Sequence, residues 1–177
     1  MRTSVVVLSV STLTCGGLGA AVHAQETSRE AWNTFHGTWS AVGRRQTLRT
    51  EGEHPAAIIQ LSGSVVLTGS RGSGGPGAFS SAFHAELIGF TDGDQLGAGR
   101  AVWTDARGDL VFSVLKGERL ATGRRITATI TGGTGRYAGL TGDWELTWQF
   151  VVATDEGEVQ GRAADLKGRF RRGETPR

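Results

Sequence analysis

Sulfur-containing residues are almost absent from this chain, which has one cysteine and one methionine among its 177 residues. Both of them, Met1 and Cys15, fall in an N-terminal segment that we expect to be cleaved off. The remaining chain then has no thiol, so it forms no disulfide and offers no soft metal ligand. Its histidines, His36, His54 and His84, form no close pair in sequence, so we expect neither a metal site nor a cofactor.

Charge of one sign is also scarce, since 19 basic and 17 acidic side chains leave a formal net charge of +2. This balance produces only a weak electrostatic field, and we therefore expect no nucleic acid as a partner. Proline is rare at 3 residues and glycine is abundant at 28. Together with frequent valine, isoleucine, threonine and tryptophan, this composition favours short strands joined by tight turns.

Residues 1–24 have the features of a secretory signal peptide. Arg2 supplies a positive charge, residues 5–13 form an apolar core, and Ala24 ends a small-residue pattern for cleavage before Gln25. The apolar core is too short to span a bilayer, so no membrane span is predicted. A lipid anchor at Cys15 is the alternative, although Thr14 is a poor residue before such a cysteine. We expect an exported protein, periplasmic or extracellular.

After a polar arm at residues 25–37, apolar and polar residues alternate in eight segments that are separated by turn residues. In the segment 56–68, the odd positions are apolar or glycine, and the even positions include glutamine, serine and threonine. A period of two predicts a strand with one buried face. The predicted strands cover residues 38–48, 56–68, 78–90, 96–104, 110–116, 124–131, 140–154 and 159–171.

Eight short strands with short connections and no helical periodicity predict an all-β fold, an eight-stranded antiparallel β-barrel. Closure of the sheet removes exposed edges. The interior of such a barrel is filled by side chains or holds one small ligand. We place the barrel domain at residues 38–172 and a polar tail at 173–177. A two-sheet sandwich is the alternative that the pattern leaves open.

The sequence GTGRYA at residues 133–138 fits the G-x-G-x-x-G/A pattern of dinucleotide-binding loops. Such a loop needs a following helix whose N-terminus faces the phosphates, but here a tryptophan-rich alternating strand follows. We therefore expect no nucleotide to bind. Gly132, Gly133, Gly135 and Gly139 are instead predicted to adopt positive φ angles, which let the chain cross tightly between two strands.

The longer run GGTGRYAGLTG at residues 132–142 resembles the glycine-rich segment of allene oxide cyclases and dirigent proteins. The sequence GRAVWTDARGDLVF at residues 99–112 is similar to the strand, turn and strand before that segment in bacterial members with this barrel. The resemblance covers residues 99–150 and implies an eight-stranded barrel, often trimeric, with an apolar pocket. Known members steer the cyclisation or coupling of reactive apolar intermediates. No catalytic residue of the family can be assigned to this sequence.

A second, shorter resemblance is to lipocalins, because GTW at residues 37–39 matches their Gly-x-Trp motif. In lipocalins this tryptophan closes one end of the barrel beneath an arginine from a late strand. Arg162, Arg169 and Arg171 are the candidates for that arginine here.

Seven side chains are candidate ligand contacts, namely Trp39, Glu86, Arg100, Trp103, Tyr137, Trp144 and Trp148. The tryptophans either line an apolar pocket or form the core. Glu86 is a candidate acid or base if its strand face is interior, and Arg100 either pairs with a carboxylate ligand or is exposed. Tyr137 either donates its hydroxyl to a substrate or packs. Asp105 and Asp109 flank a predicted turn, where they bond their own backbone or bind a cation.

Three functions are compatible with these features. The leading hypothesis is an exported barrel that binds a small apolar molecule and guides its isomerisation or cyclisation. The second is a non-catalytic, lipocalin-like carrier, and the third is a structural envelope protein with a filled barrel. A homo-oligomer, either a trimer or a dimer, is expected from the resemblance.

Overall fold

The computed structural model of the protein describes residues 32–48, 55–71, 79–93 and 95–173. Within these ranges lie eight strands and one turn of 3-10 helix, at Gly135–Tyr137. The strands are β1 (Asn33–Leu48), β2 (Ala56–Arg71), β3 (Ala82–Asp92), β4 (Gln95–Thr104), β5 (Leu110–Arg119), β6 (Arg124–Gly133), β7 (Leu140–Ala153) and β8 (Glu158–Arg172). Each strand pairs antiparallel with the next, and β1 also pairs with β8. The predicted closed barrel is confirmed, and the sandwich alternative is wrong.

Alternation of side chains explains why these segments form strands with one buried face. In β3, Phe83, Ala85 and Leu87 point inward and are buried, whereas His84 and Glu86 point outward and are exposed. The inward side chains of all eight strands meet in one hydrophobic cluster along the barrel axis. Burial of apolar surface, worth about 25 cal/mol per Å², therefore fixes which face of each strand points inward.

The barrel has two dissimilar ends. The closed end contains residues 79–81 before β3, the β4–β5 turn at residues 105–109, and the glycine loop between β6 and β7 at residues 134–139. The open end contains Gly93 after β3, the β5–β6 turn at residues 120–123, and the β7–β8 turn at residues 154–157. All these connections are short, as an up-and-down barrel requires.

Several strand boundaries at the closed end differ from the sequence prediction, most of all the starts of β1 and β3. β1 begins at Asn33 rather than at residue 38, and Phe35, which was predicted to lie in a polar arm, is completely buried. β3 begins at Ala82 rather than at residue 78, although Phe79 before it is also buried in the core. Large aromatic rings pack into this end of the barrel, Phe35 from the predicted arm and Phe79 from within the predicted strand 78–90.

The glycine loop crosses between β6 and β7 with the predicted kind of geometry. Positive φ angles occur at Gly132 (143°), Gly135 (50°) and Gly139 (72°). The prediction is wrong for Gly133, whose φ is not positive. Close approach explains this glycine instead, because a Cβ at Gly133 would lie 2.6 Å from the Cβ of Tyr137 and would overlap the carbonyl oxygen of Leu110.

Several predictions concern the ends of the chain. The predicted signal peptide, its Cys15, residues 25–31 of the arm and residues 174–177 of the tail lie outside the described residues. In the part of the chain that the structure describes, no helix has the length and hydrophobicity that a bilayer-spanning helix needs.

Candidate functional site

Aromatic rings occupy the interior at the closed end of the barrel. Phe79 stacks on Phe35 with ring centroids 5.3 Å apart and on Phe170 with centroids 4.4 Å apart. Trp103 packs against Phe83 at 5.5 Å. All five side chains are buried, so they form part of the hydrophobic core and not the wall of a pocket. The alternative of packing rather than ligand binding therefore fits Trp103 best.

Asp105 is the centre of a polar network that covers these rings. Its side chain is completely inaccessible to solvent. It accepts hydrogen bonds from the backbone N–H groups of Arg107 at 2.7 Å and Asp109 at 3.1 Å. The Arg136 guanidinium donates from Nε at 2.7 Å and also from its terminal nitrogen. The hydroxyl of Tyr137 donates at 3.0 Å, so both carboxylate oxygens are engaged.

These contacts set the charge states at the closed end. Burial opposes ionisation of Asp105, but the hydrogen bonds from Arg107, Arg136 and Tyr137 outweigh it and lower the pKa of the carboxyl group. Burial, reinforced by the hydrogen bond to Asp105, raises the pKa of Tyr137 to about 12. The phenol oxygen also accepts the backbone N–H of Ser80 at 3.3 Å. Asp105 is thus held ionised and Tyr137 neutral near pH 7, which suits a structural pair and not a proton donor or acceptor in catalysis.

Sequence analysis found the turn but missed the network. The interpretation of Asp105 as a turn residue that bonds the backbone of its own turn is confirmed. The Asp109 carboxylate instead accepts the backbone N–H of Arg136 in the glycine loop, at 3.3 Å. The ion pair with Arg136 was not predicted. A usable signal was present, because in an up-and-down barrel the β4–β5 turn and the β6–β7 loop lie at the same end. A turn aspartate and a loop arginine are thereby brought close without being close in sequence.

Two tryptophans at mid-barrel, toward the open end, have unsatisfied polar groups. Trp39 and Trp148 pack with ring centroids 4.9 Å apart, and both are buried. Neither indole N–H has a hydrogen-bond partner among the described residues. Trp144, in contrast, donates its indole N–H to the Ser113 hydroxyl at 3.1 Å. Buried donors are nearly always satisfied, so the pair Trp39 and Trp148 calls for an explanation.

A cavity of about 580 Å³ opens at this end of the barrel. Its wall combines apolar and polar side chains, among them Phe150, Thr47, Thr91, Arg45, Arg119 and Arg124. Phe150 links the cavity to the tryptophan pair, because its ring packs edge-on against Trp148 at 6.1 Å. The described lining residues include no carboxylate and no histidine.

Backbone contacts hold the rim of this cavity in place. The N–H of Arg45 donates to the carbonyl oxygen of Gly157 at 2.7 Å, which ties β1 to the β7–β8 turn. Gly123 has φ of +93°, and a Cβ there would overlap the carbonyl oxygen of Trp148. The β5–β6 turn therefore lies directly against β7, and the rim is built from tight turns rather than from a long loop.

Glu86 and Arg100 lie on the outer face of the barrel, away from the five buried aromatic candidates. Arg100 lines an open external groove of about 470 Å³ together with Ile58, Ile88 and Phe90, which are about half exposed. A role for Glu86 or Arg100 toward a ligand inside the barrel does not fit these positions. The sequence left both strand faces open. The structure decides them, because the buried opposite face carries Phe83 on β3 and Trp103 on β4. The trimer or dimer stays a prediction.

A second external groove, of about 650 Å³, runs over β5 to β8. Its wall contains two ion pairs, Lys167 with Glu145 and Arg169 with Asp143, each at 2.8 Å. These charges are about half exposed and already pair with each other. We therefore place the candidate site in the cavity at the open end, whose Phe150 wall packs against Trp148.

The lipocalin-like arrangement at Trp39 is not formed by the predicted arginines. The guanidinium groups of Arg169 and Arg171 lie over the ring of Trp32, at 4.6 and 4.8 Å from its centroid. Arg162 is exposed on the outer face. Trp39 instead packs on Trp148, so the tryptophan of the GTW sequence is one member of a buried aromatic pair in this protein.

No family model and no curated protein match this sequence. The chain is similar to the solved structure of the pterocarpan synthase dirigent protein GePTS1, at 12% identity and a TM-score of 0.44. The match covers 90% of this chain and 98% of that chain. Dirigent proteins are one of the two groups that the glycine-rich segment resembles. A likeness at this level assigns no activity, and the resemblance to allene oxide cyclases stays a prediction.

Proposed function

We propose that this protein binds a small, largely apolar molecule in the cavity at the open end of its barrel. The observation that carries the proposal is the cavity itself, whose wall combines the apolar side chains of Phe150, Leu120 and Ala57 with polar ones. Phe150 also packs against Trp148, whose buried indole N–H, like that of Trp39, has no partner among the described residues. The cavity volume lies within the range of about 300–1,000 Å³ that is usual for small-ligand sites.

The composition of the wall favours binding over acid–base catalysis. The described lining has arginine and threonine as its polar side chains, and neither is a common proton-transfer group near neutral pH. Asp105 and Tyr137, two of the groups with shifted pKa values, are both fully engaged at the closed end. If a reactive ligand isomerises or cyclises in this cavity, the barrel acts by restricting its conformation. Carrier function is thus the core of the proposal, and guided cyclisation is an extension of it.

The proposal is tested by titration with N-phenylnaphthylamine, a neutral apolar dye whose fluorescence rises in a dry site. We expect saturable binding to the wild-type protein. Ala121→Phe places a bulky ring in the cavity wall at an exposed turn position, and it is expected to weaken binding of the dye.

Ala98→Phe is the matched control, because Ala98 is an exposed alanine that lines the external groove instead. Binding should survive this substitution. Binding that is lost in Ala98→Phe and kept in Ala121→Phe would place the dye on the outer surface and contradict the proposal. Turnover of a bound ligand, followed by mass spectrometry, separates guided cyclisation from a pure carrier.

Export is a separate proposal, and it rests on the features of residues 1–24. Mass spectrometry of the protein from its native host is expected to show a chain that begins at Gln25. An intact N-terminus, or a lipid attached to Cys15, would contradict it.

A further inference from the structure

We propose that the outer face of β2 to β5 binds a second copy of this chain, and that a two-fold axis relates the two copies. The proposal concerns the outside of the barrel and is independent of ligand binding in the cavity at the open end. It assigns a partner to the external groove that Arg100 lines, on the basis of the apolar and charged residues around that groove.

The groove belongs to a larger apolar patch that crosses four strands. Ile58 on β2 lies opposite Phe90 on β3, and Phe90 lies opposite Ala98 on β4. The exposed fractions of Ile58 and Phe90 are 48% and 45%. Further apolar side chains on the outer face extend this patch toward the closed end, namely Ile88, Val102, Phe112 and Val114. A contiguous exposed apolar patch is typical of a surface that another molecule covers.

Two charged side chains lie within the patch. In the β3–β4 pair, Glu86 lies opposite Val102 and Ile88 lies opposite Arg100, so the charges occupy one diagonal and the apolar residues occupy the other. Among the described residues, neither charge has an ion-pair partner. Arg100 donates from Nη1 to the carbonyl oxygen of Gly99 at 3.1 Å. The charged residues of the second external groove, in contrast, pair within the same chain.

This arrangement is complementary to itself. In a two-fold interface, residue i of one copy contacts residue j of the other, and j contacts i. An axis along the diagonal from Ile88 to Val102, in the plane of the interface, brings Glu86 onto the partner's Arg100 and Arg100 onto the partner's Glu86. The same axis packs Ile88 and Val102 against their own counterparts. A second copy therefore pairs both charges while it covers the apolar side chains, whereas a hydrocarbon surface would bury both charges unpaired.

The oligomeric state is measured by sedimentation velocity of the protein at micromolar concentrations, and we expect the wild type to be a dimer. Ile88→Lys places like charges against each other at the axis and should raise the dissociation constant of the dimer at least about tenfold. Val151→Lys is the matched control, because Val151 is an apolar residue of β7 that lies outside the patch and is 61% exposed. This control should remain dimeric.

Charge reversal tests the two-fold register. Glu86→Arg and Arg100→Glu should each be monomeric, because each variant opposes like charges twice across the axis. An equimolar mixture of the two variants should restore dimers, since each reversed position in one variant then faces the opposite charge in the other. Mixing cannot restore a charge pair that forms within one chain. Restored dimers also show that each single variant is folded.

A wild-type monomer or trimer would overturn the proposal. A dimer that survives Ile88→Lys, or that Val151→Lys breaks equally, would place the interface elsewhere and also overturn it. A mixture of the two charge variants that stays monomeric would contradict the two-fold register. None of these results bears on binding of N-phenylnaphthylamine in the cavity, so failure of the dimer leaves the proposed function in place.

Discussion

The two ends of this barrel use aromatic residues in opposite ways. At the closed end, Tyr137 has its hydroxyl bonded to Asp105, and Trp144 has its indole N–H bonded to Ser113. Toward the open end, Trp39 and Trp148 are as deeply buried but have no partner for their N–H groups among the described residues. The polar groups of these two closed-end aromatic residues are therefore hydrogen-bonded, whereas the indole N–H groups of the pair toward the open end have no partner among the described residues.

The polar side chains at the two ends differ as well. Arg136 at the closed end is paired with a carboxylate that has no solvent exposure. Arg45, Thr47 and Thr91 at the open end line a cavity of about 580 Å³. One end of the barrel therefore holds a buried ion pair, and the other holds the cavity in which we propose that a ligand binds. Substitutions at the closed end should lower stability, and those at the open end should change binding.

The largest expected effect is from Asp105→Asn at the closed end. This variant removes the charge that faces Arg136 and disturbs the hydrogen bond from Tyr137, and breaking a buried ion pair costs about 3–5 kcal/mol. Because Arg136 is one-quarter exposed, we expect a loss near the lower limit of that range, measured by urea denaturation. Asp143→Asn, which breaks the exposed pair with Arg169, should cost less than about 1 kcal/mol. Equal losses in the two variants would contradict the closed-end account.

The next effect concerns pH, and the single tyrosine of the chain reports it directly. Because the pKa of Tyr137 is raised to about 12 in the folded protein, its stabilising effect is complete below about pH 10 and is lost as the pH rises toward 12. Ultraviolet absorption of the phenolate should therefore appear near pH 12 in the native protein and near pH 10 in denaturant. Ionisation near pH 10 in both states would show that the phenol is not buried against Asp105.

Gly135→Val tests the geometry of the glycine loop. Gly135 has φ of +50°, and a Cβ there would overlap the carboxylate of Asp109, so strain of about 1–3 kcal/mol is joined by a steric clash. Gly108→Val is the matched control, because Gly108 has φ of +85° with no atom within 4 Å of an added Cβ. We expect the larger drop in melting temperature for Gly135→Val, and no protection of the wild type by ATP or NAD. Protection by a nucleotide would contradict the architectural interpretation of the loop.

The smallest expected effect compares Trp144→Phe with Trp39→Phe. Both variants remove an indole, but only Trp144→Phe leaves a buried partner, the Ser113 hydroxyl, without its hydrogen bond. We expect Trp144→Phe to destabilise by about 1 kcal/mol more than Trp39→Phe. Equal destabilisation would indicate that the Trp39 N–H is satisfied in solution, for example by ordered water.

The alternation of residues was sufficient to predict the eight strands, because a period of two is a local property and burial reinforces it in every strand. Phe35 shows where that information ends, since it joins the core from the predicted polar arm. The candidate site was harder to predict from the sequence than the fold. The pairing of Asp105 with Arg136 depends on two loops that become adjacent only when the barrel forms. A local sequence pattern holds no information about which distant loops will meet. The strand faces of Glu86 and Arg100 were left open by the sequence, and the cavity at the open end combines β1, the end of β3 and the β5–β6 turn, which are distant in sequence.

The central claim is that a small apolar ligand binds at the open end, beside the tryptophan pair, and leaves the closed end unchanged. The most direct test uses the indole N–H signals of the five tryptophans in a nitrogen–proton NMR spectrum during titration with N-phenylnaphthylamine. The account predicts that the signals of Trp39 and Trp148, each assigned by its phenylalanine variant, shift on binding, while those of Trp103 and Trp144 stay in place. Shifts confined to Trp103 and Trp144, or no shift in any indole signal, would contradict it.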